Sequence, residues 1–255
     1  MGFPYKHKMT VAAHCGDRYN SFENTMEAFE EARLQGADMI ETDVRMTADG
    51  QLVLIHDADT LRTTGEFGLI RDMTLEEVRT RNAGNELHPL QIPTLEELLR
   101  WAQPYELLLN IEFKEYYTAG NEERCKKCVD QVVALVKKYG LEDRVVLNCF
   151  DAWPLEYVDE TYHHRFLLHG FYPYSGMHNV RRDPDEYLYC ACIWGGNTRK
   201  EYYDHLLAHG IEPWVGSSVT SLSMLEQVCR YGAKLITTDN TADIIAKLER
   251  LGMRA

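Results

Sequence analysis

The sequence has no apolar run long enough to cross a membrane. No window of about 18 consecutive apolar residues occurs in the chain, which argues against a membrane-spanning helix. The first residues, MGFPYKHKMTVAAHCGDR, also lack the apolar core of a secretory signal peptide. We therefore expect a cytoplasmic protein without a stable membrane anchor. Its seven cysteines are expected to be reduced thiols.

Positive charge is scarce relative to negative charge. The chain has 27 Lys and Arg residues against 40 acidic residues, a formal net charge of −13, and no run of basic residues offsets it. Such a surface repels phosphate backbones, so nucleic acid is not an expected partner. An acidic protein that handles a small anion needs a concentrated local positive charge, and a bound metal ion is one source of it.

Short apolar runs alternate with longer amphipathic stretches along the chain. The eight predicted strands are Thr10–His14, Met39–Arg45, Leu107–Phe113, Arg144–Cys149, Phe166–His169, Leu188–Ile193, Glu212–Val215 and Lys234–Thr238. The predicted helices between them are Thr25–Gln35, Glu122–Tyr139, Arg199–His209, Ser223–Tyr231 and Ala242–Leu251. This alternation predicts an α/β fold, a (β/α)8 TIM barrel that takes up residues 1–255 as one domain. A doubly wound open sheet is the alternative, but no glycine-rich fingerprint follows the first strand.

One segment after the second strand interrupts the alternation. Asp49-Gly50 is a hairpin turn signal, so the chain is predicted to fold back through Gln51–His56. Residues 57–100 then form a small insertion. Its two predicted helices are Leu75–Arg81 and Leu95–Gln103. Thr94 and Glu97 have the spacing of a capping box at the start of the second helix.

Carboxylates on two predicted strands share a face. Side chains two apart in a strand point to one side, so Glu41 and Asp43 lie together. In a partly dry site they repel each other unless one is protonated or a cation lies between them. Glu112 repeats the pattern on the third strand, and Lys114 on the same face offers a charge to a phosphate oxygen. Three carboxylates with water suit one divalent cation, Mg²⁺ or Ca²⁺, better than zinc.

Two histidines stand at the ends of apolar runs. His14 ends the first predicted strand, and His56 ends the hairpin run Val53-Leu54-Ile55. In a barrel, active sites are built at the C-terminal ends of the strands. Imidazoles with an ordinary pKa of about 6.5 can act there as general base and general acid.

A series of short blocks carries a family resemblance. The blocks in the first half are Ala13–Gly16, Glu23–Thr25, Gly36–Val44, Thr47–Gly50 and His56-Asp57. The later blocks are Ile92–Glu97, Ile111–Lys114, Pro213–Val215 and Gly232–Asp239. Together they resemble the glycerophosphodiester phosphodiesterase family from residue 11 to about 245, more loosely between 115 and 205.

The resemblance implies a (β/α)8 barrel that uses a divalent cation to hydrolyse small glycerophosphodiesters to glycerol 3-phosphate and an alcohol. The site residues that it implies are His14 and His56 as the acid–base pair, Glu41, Asp43 and Glu112 as metal ligands, and Lys114 and Trp214 at the phosphate and the glycerol. In the implied mechanism, one histidine takes a proton from the attacking glycerol hydroxyl and the other protonates the leaving alcohol. Water then opens a cyclic phosphate.

The chain departs from the family at Cys15, where the family has a phosphate-binding arginine. A thiol does not replace the planar guanidinium fork, and losing one such contact costs roughly 1.5–3 kcal/mol of binding. We expect Arg18, three residues later in the same loop, to swing in instead. A thiolate nucleophile at Cys15 is a further hypothesis.

Other functions on the same barrel remain open. Cys15 is consistent with a substrate of different phosphate surroundings, or with a catalytically degenerate barrel that binds a phosphoester without turnover. A metal-dependent sugar isomerase is another alternative, but it needs several late acidic or histidine ligands, and Asp239 is the one late acidic candidate. The choice among them depends on the site residues, because this barrel hosts many chemistries.

Overall fold

Eight parallel strands close into a barrel. The computed structural model describes residues 2–194 and 198–254. In chain order the strands are β1 (Thr10–Ala13), β2 (Met39–Met46), β3 (Leu52–Leu54), β4 (Leu108–Phe113), β5 (Val145–Asn148), β6 (Leu167–Tyr172), β7 (Cys190–Ile193), β8 (Glu212–Val215) and β9 (Leu235–Thr238). Apart from β3, each pairs in parallel with the next in the order β1-β2-β4-β5-β6-β7-β8-β9, and β9 pairs with β1. This closure confirms the TIM barrel and rules out the open sheet.

α-Helices cover the outside of the barrel. The described residues form α1 (Met26–Leu34), α2 (Leu61–Thr64), α3 (Leu75–Arg79), α4 (Leu95–Ala102), α5 (Glu122–Lys138), α6 (Ala152–Tyr162), α7 (Lys200–Ala208), α8 (Leu222–Tyr231) and α9 (Thr241–Arg250). The five helices predicted between strands agree with α1, α5, α7, α8 and α9 to within one residue at each end. Within the described part of the chain, no helix is both long and apolar enough to cross a membrane.

Helix α6 is absent from the predicted pattern because its buried side is not purely apolar. Pro154 lies in its first turn, where a missing N–H is tolerated. Glu156 and Asp159 are buried on the same helix. Arg181 holds Glu156 at 2.7 Å, and Arg182 holds Asp159 at 2.9 Å. Acids buried in this way remove the apolar periodicity by which a helix is recognised in a sequence.

The chain folds back after β2 as predicted. Strand β3 pairs antiparallel with β2, with Leu54 opposite Val44. Gly50 in the connecting turn has a φ of +83°, a left-handed conformation that favours glycine. The residues after β3 build a separate small apolar cluster, formed by Val53, Ile55, Ile70, Met73, Val78, Ala83 and Ile92. The insertion therefore has its own core beside the barrel.

Helix α4 belongs to the barrel rather than to this insertion. Its apolar side, with Leu95, Leu98 and Leu99, is buried in the main core. The predicted capping box is present at its start, because Thr94 accepts from the Glu97 N–H and Glu97 accepts from the Thr94 N–H. The insertion thus ends before α4, a few residues earlier than predicted.

The two ends of the barrel interior differ in polarity. An apolar layer contains Phe3, Ala12, Met39, Leu108, Val146, Cys190, Trp214 and Leu235, and the Phe3 ring stacks on Trp214 with centroids 6.5 Å apart. Four of these residues, Met39, Leu108, Cys190 and Leu235, are the first residues of their strands, so the layer lies on the N-terminal side of the interior. Buried polar residues follow them along the strands, so the C-terminal end of the interior is the place to look for a functional site.

Candidate active site

One cavity opens at the C-terminal ends of the barrel strands, with a volume of about 250 Å³. Its polar lining includes His14, Glu41, Asp43, His56, Asn110, Glu112, Lys114, Asn148, His169, Ser217, Ser218 and Thr237. Its apolar lining includes Phe150, Phe171, Cys192, Ile193 and Trp194. Six of the eight predicted site residues therefore line the same cavity.

Strand register brings the three predicted metal ligands together. Asp43 of β2 lies opposite Glu112 of β4, and Glu41 lies two residues earlier on the same face. Carboxylate oxygens of the three lie within 4.8 Å of one another, and all three side chains are buried. Oxygen donors at this spacing suit a hard divalent cation.

Burial and mutual repulsion alter the protonation of these acids. Burial first, and then neighbouring carboxylates, raise the pKa of Glu41 and of Glu112 to about 7. Burial also acts on Asp43, but the charges of Lys114 and His56 outweigh it and hold the pKa of Asp43 below its usual range. Asp43 is therefore ionised, whereas Glu41 and Glu112 have pKa values near neutral pH. A bound cation is favoured in this environment because it stabilises the ionised form of all three.

Asp43 is held by donors on both of its oxygens. Lys114 Nζ lies 3.1 Å from Oδ1 and also contacts Glu112. Asn24 Nδ2 donates to Oδ2 at 2.9 Å, and Cys15 Sγ lies 3.2 Å from the same oxygen. Burial lowers the pKa of Lys114, but the two carboxylates outweigh it and raise that pKa above its usual range. Lys114 therefore stays charged.

Each predicted histidine is bound by a carboxylate through Nδ1. His14 Nδ1 lies 2.6 Å from Asp239 Oδ1, and His56 Nδ1 lies 2.8 Å from Asp57 Oδ1. With Nδ1 engaged, Nε2 of each ring is the atom left to exchange a proton. Burial lowers the pKa of His14, but the bond to Asp239 and the nearby charges, with Glu41 foremost, outweigh it and raise that pKa to about 9.

Alternating charges connect the two histidine–carboxylate pairs. Arg62 donates to Asp57 at 2.6 Å and makes two hydrogen bonds, of 2.9 and 2.6 Å, to Glu23. Glu23 also accepts from Arg18 at 2.8 Å, and Arg18 Nε lies 4.0 Å from Asp239. The hydrogen bond from Arg62 is the main reason that the pKa of Asp57 falls to about 2. Because Arg62 lies on α2, the insertion helps to hold the second histidine.

Comparison with known families assigns the chain. The model of the glycerophosphoryl diester phosphodiesterase family matches residues 12–255. The chain belongs to this family. The predicted family, a family of phosphoric diester hydrolases, is thereby confirmed.

Individual relatives agree with the family assignment. A glycerophosphodiester phosphodiesterase of Caldanaerobacter subterraneus subsp. tengcongensis is 37% identical over 163 residues, which span 62% of this chain and 64% of that relative, just under two thirds of its length. Another from Bacillus altitudinis is 33% identical over 249 residues, 90% of this chain and 94% of the relative. The structure of an Oleispira antarctica phosphodiesterase in complex with the product sn-glycerol-3-phosphate has the same fold, with a TM-score of 0.81 at 21% identity over 94% of this chain and 96% of that one.

Cys15 is the position at which this phosphodiesterase family member departs from the family motif. Its N–H donates to Glu41 Oε2 at 2.9 Å, and its φ of +54° is left-handed. Burial first, and then the charges of Asp43 and Glu41, raise the pKa of Cys15 well above its usual range. The side chain is therefore a neutral thiol, which does not have the reactivity of a thiolate.

Arg18 is not brought to the cavity. Glu23 and Asp239 hold its guanidinium outside the residues that line the site. The expectation that Arg18 takes the place of the family arginine is therefore not met in this conformation. Among the described residues that line the cavity, Lys114 and His14 have raised pKa values and supply positive charge.

Trp214 lies below the cavity rather than in it. It is fully buried in the apolar layer, level with Leu235 of β9. Its indole N–H donates to Glu212 at 3.3 Å, and its ring lies 4.7 Å from the imidazole of His169. The structure thus corrects the prediction that Trp214 lines the pocket, because Trp214 pairs with Leu235, the first residue of β9, and lies in the apolar layer beneath the polar end of the barrel.

Three buried polar side chains of the cavity, Asn110, Asn148 and His169, were not predicted. Asn148 Nδ2 lies 3.4 Å from Glu112, and His169 Nδ1 lies 3.2 Å from the amide of Asn110. Asn148 Oδ1 and His169 Nε2 have no hydrogen-bond partner within the described residues. A polar residue at the end of an apolar strand is the signal that identified His14, and Asn148 at the end of β5 shows it too.

The buried imidazole of His169 predicts a pH-dependent loss of stability. Burial lowers its pKa to about 3, so below about pH 6.5 the unfolded chain binds a proton that the folded chain does not. Folding stability from this residue is complete above pH 6.5 and falls as the pH decreases. Between pH 7 and pH 5 the wild type should lose about 2 kcal/mol more stability than His169→Phe. Urea unfolding at both pH values measures this, with the exposed His88→Gln as the control; parallel losses in all three proteins would contradict it.

Proposed function

We propose that this family member hydrolyses small glycerophosphodiesters to glycerol 3-phosphate and an alcohol, with one divalent cation, Mg²⁺ or Ca²⁺. The observation that carries the proposal is the convergence of three buried carboxylates, one lysine and two carboxylate-bound histidines on one cavity. The name of the Bacillus altitudinis relative and the product bound to the Oleispira antarctica protein support it.

The proposed cation ligands are Glu41, Asp43 and Glu112. Two observations support the fit of these residues to a divalent cation. The donors are carboxylate oxygens, and the buried Asn148 Oδ1 has no partner among the described residues. Among the described residues, Lys114 is the cation that forms ion pairs with these acids, one positive charge for three carboxyl groups, so a further cation improves the electrostatic balance. When bound, a divalent cation polarises a phosphate oxygen and a substrate hydroxyl.

His14 and His56 are proposed to move the protons. One Nε2 accepts the proton of the attacking glycerol hydroxyl, and the other donates a proton to the oxygen of the leaving alcohol. When water opens the cyclic phosphate, the two roles reverse. Asp239 and Asp57 fix the ring orientation, because each holds the opposite nitrogen of its imidazole.

Substrate binding is proposed to use both sides of the cavity. Lys114, buried and charged, is placed to contact a phosphate oxygen in the absence of the family arginine. Across the barrel from β2, Phe150, Phe171 and Trp194 offer apolar surface to the carbon skeleton. A small water-soluble substrate handled in the cytoplasm is consistent with the seven free thiols.

Non-catalytic binding is the less favoured alternative. A degenerate barrel has no need of two histidines that each keep a carboxylate partner. The arginine contact proposed to be lost at Cys15 is one phosphate contact, whereas the side chains proposed for acid–base catalysis and cation binding all line the cavity.

Release of glycerol 3-phosphate from glycerophosphocholine tests the function. Activity should appear with Mg²⁺ or Ca²⁺, disappear with chelator, and fall by about a thousandfold or more in Glu41→Gln, because that variant removes one ligand charge from the cation. Calorimetry of cation binding is the second readout. Glu123→Gln, with 90% of its side chain exposed, is the control and should keep full activity. A wild type that binds the cation without turnover would support the degenerate barrel instead.

The neutral state of Cys15 predicts that its sulfur does not attack phosphorus. Cys15→Ala and Cys15→Ser should retain kcat/KM to within about threefold, since a protonated buried thiol is not a nucleophile. Steady-state assays with glycerophosphocholine measure this. A loss of about a thousandfold in both variants, with cation binding intact, would establish Cys15 as a reacting group.

Arg62 is predicted to act through Asp57 on His56. In Arg62→Gln, Asp57 loses the donor that fixes it, so kcat should fall by about tenfold, or about 1.4 kcal/mol of transition-state free energy. The pH profile of kcat should shift as well, which a purely structural change does not cause. Arg71→Gln is the matched control, because Arg71 lies in the same insertion and pairs with exposed Asp72 at 3.8 Å. Equal effects in both variants would argue against this role.

A further inference from the structure

The connection between β6 and β7 contains an unusual side-chain cluster away from the active site. Residues 173–189 form two 3-10 turns, Tyr174–Gly176 and Pro184–Glu186, where other barrel connections have an α-helix. Asp185 lies on the second turn. Helix α7 lies beside it and presents His205 in its last turn and His209 as its C-cap residue. None of the three lines the catalytic cavity.

The two histidines converge on one carboxylate oxygen. His205 Nε2 lies 2.9 Å from Asp185 Oδ2, and His209 Nε2 lies 3.7 Å from the same oxygen. Residues four apart on a helix share a face, and the two imidazole centroids are 4.4 Å apart. Two nitrogens and one oxygen thus face a common point, with all three atoms within 4.8 Å of one another.

Surrounding contacts orient these groups. The backbone carbonyl of His205 lies 2.8 Å from His209 Nδ1, so that nitrogen donates, and in the neutral ring the lone pair is on Nε2. Tyr174 donates its hydroxyl to Asp185 Oδ1, which also lies 3.3 Å from His205 Nε2, while Oδ2 lies nearer to His205 and faces His209. The His205 ring also stacks on Tyr172, with centroids 4.9 Å apart. Ligating histidines and carboxylates in metal sites are held by contacts of this kind.

A simple ion pair explains the cluster less well than a cation does. The pair joins Asp185 to His205 Nε2 at 2.9 Å, whereas His209 Nε2, at 3.7 Å from the same oxygen, lies beyond hydrogen-bond distance. A cation bound by two neutral imidazoles and the carboxylate satisfies all three groups. Zinc bonds of about 2.0–2.1 Å in a tetrahedral site place ligand atoms roughly 3.3 Å apart, between the two observed spacings.

We propose that Asp185, His205 and His209 form a binding site for a transition-metal ion of the zinc class, separate from the catalytic cation. Partial exposure of the two histidines, 32% and 46% of their side chains, leaves room for water as a fourth ligand. The bound ion ties the β6–β7 connection to α7. It thereby fastens a connection that has no α-helix of its own to pack on the barrel.

Cobalt titration of the whole protein tests the proposal. Co²⁺ takes the same ligands as zinc and has visible absorption, and excess Mg²⁺ occupies the carboxylate site. We expect the protein to bind one Co²⁺ per chain, with the visible absorption typical of nitrogen and oxygen ligands, and Zn²⁺ to displace it. Either ion should raise the melting temperature. His205→Gln and His209→Gln should each weaken binding by more than about tenfold and abolish the stabilisation, without changing phosphodiesterase activity.

Two further variants separate this site from the other ligands in the chain. His88→Gln removes another exposed histidine paired with a carboxylate, Glu27, and should leave cobalt binding unchanged. Glu41→Gln should also leave it unchanged. The proposal is overturned if the wild type binds no cobalt in these conditions, if binding survives loss of His205 and His209, or if the spectrum shows thiolate ligands.

Discussion

Repulsion among Glu41, Asp43 and Glu112 is the interaction on which the rest of the site depends. Strand pairing forces the three acids together at the open end of the barrel, with Lys114 as their one lysine partner. Charges at this spacing interact strongly once water is excluded, so the fold has to supply positive groups around them. Burial and this repulsion together raise the pKa of the two glutamates, and the donors on Asp43 and the proposed cation meet the requirement for positive groups.

Most of the barrel and the acidic centre could be predicted because both depend on local periodicity. Apolar runs separated by amphipathic helices gave the strand order, and a period of two placed Glu41 and Asp43 on one face. The end of β1 identified His14, since parallel strands bring their C-terminal ends to one edge. His56 follows the antiparallel β3 and reaches the site because the Ile55 N–H donates to the carbonyl of Asp43. The family resemblance added roles to these positions. In the structure, six of the eight predicted site residues line one cavity.

The remaining features depend on tertiary contacts that periodicity does not encode. The depth of Trp214 in the barrel is one example, because alternation separates inward from outward residues but not one level from another. Arg18 is held by Glu23 and by Asp239, 221 positions further along the chain, so its place could not be read locally. Helix α6 was missed because its buried side contains acids that are matched by arginines from the next connection.

The central claim is that the three carboxylates hold a divalent cation between the two carboxylate-bound histidines. Anomalous diffraction from crystals grown with Mn²⁺, a stand-in for Mg²⁺ that accepts the same oxygen ligands, tests it most directly. The account predicts one strong peak within roughly 2.0–2.6 Å of oxygens from Glu41, Asp43 and Glu112, with Lys114 drawn away from at least one of them. Absence of that peak at full Mn²⁺ saturation, with the Lys114 ion pairs unchanged, would contradict it.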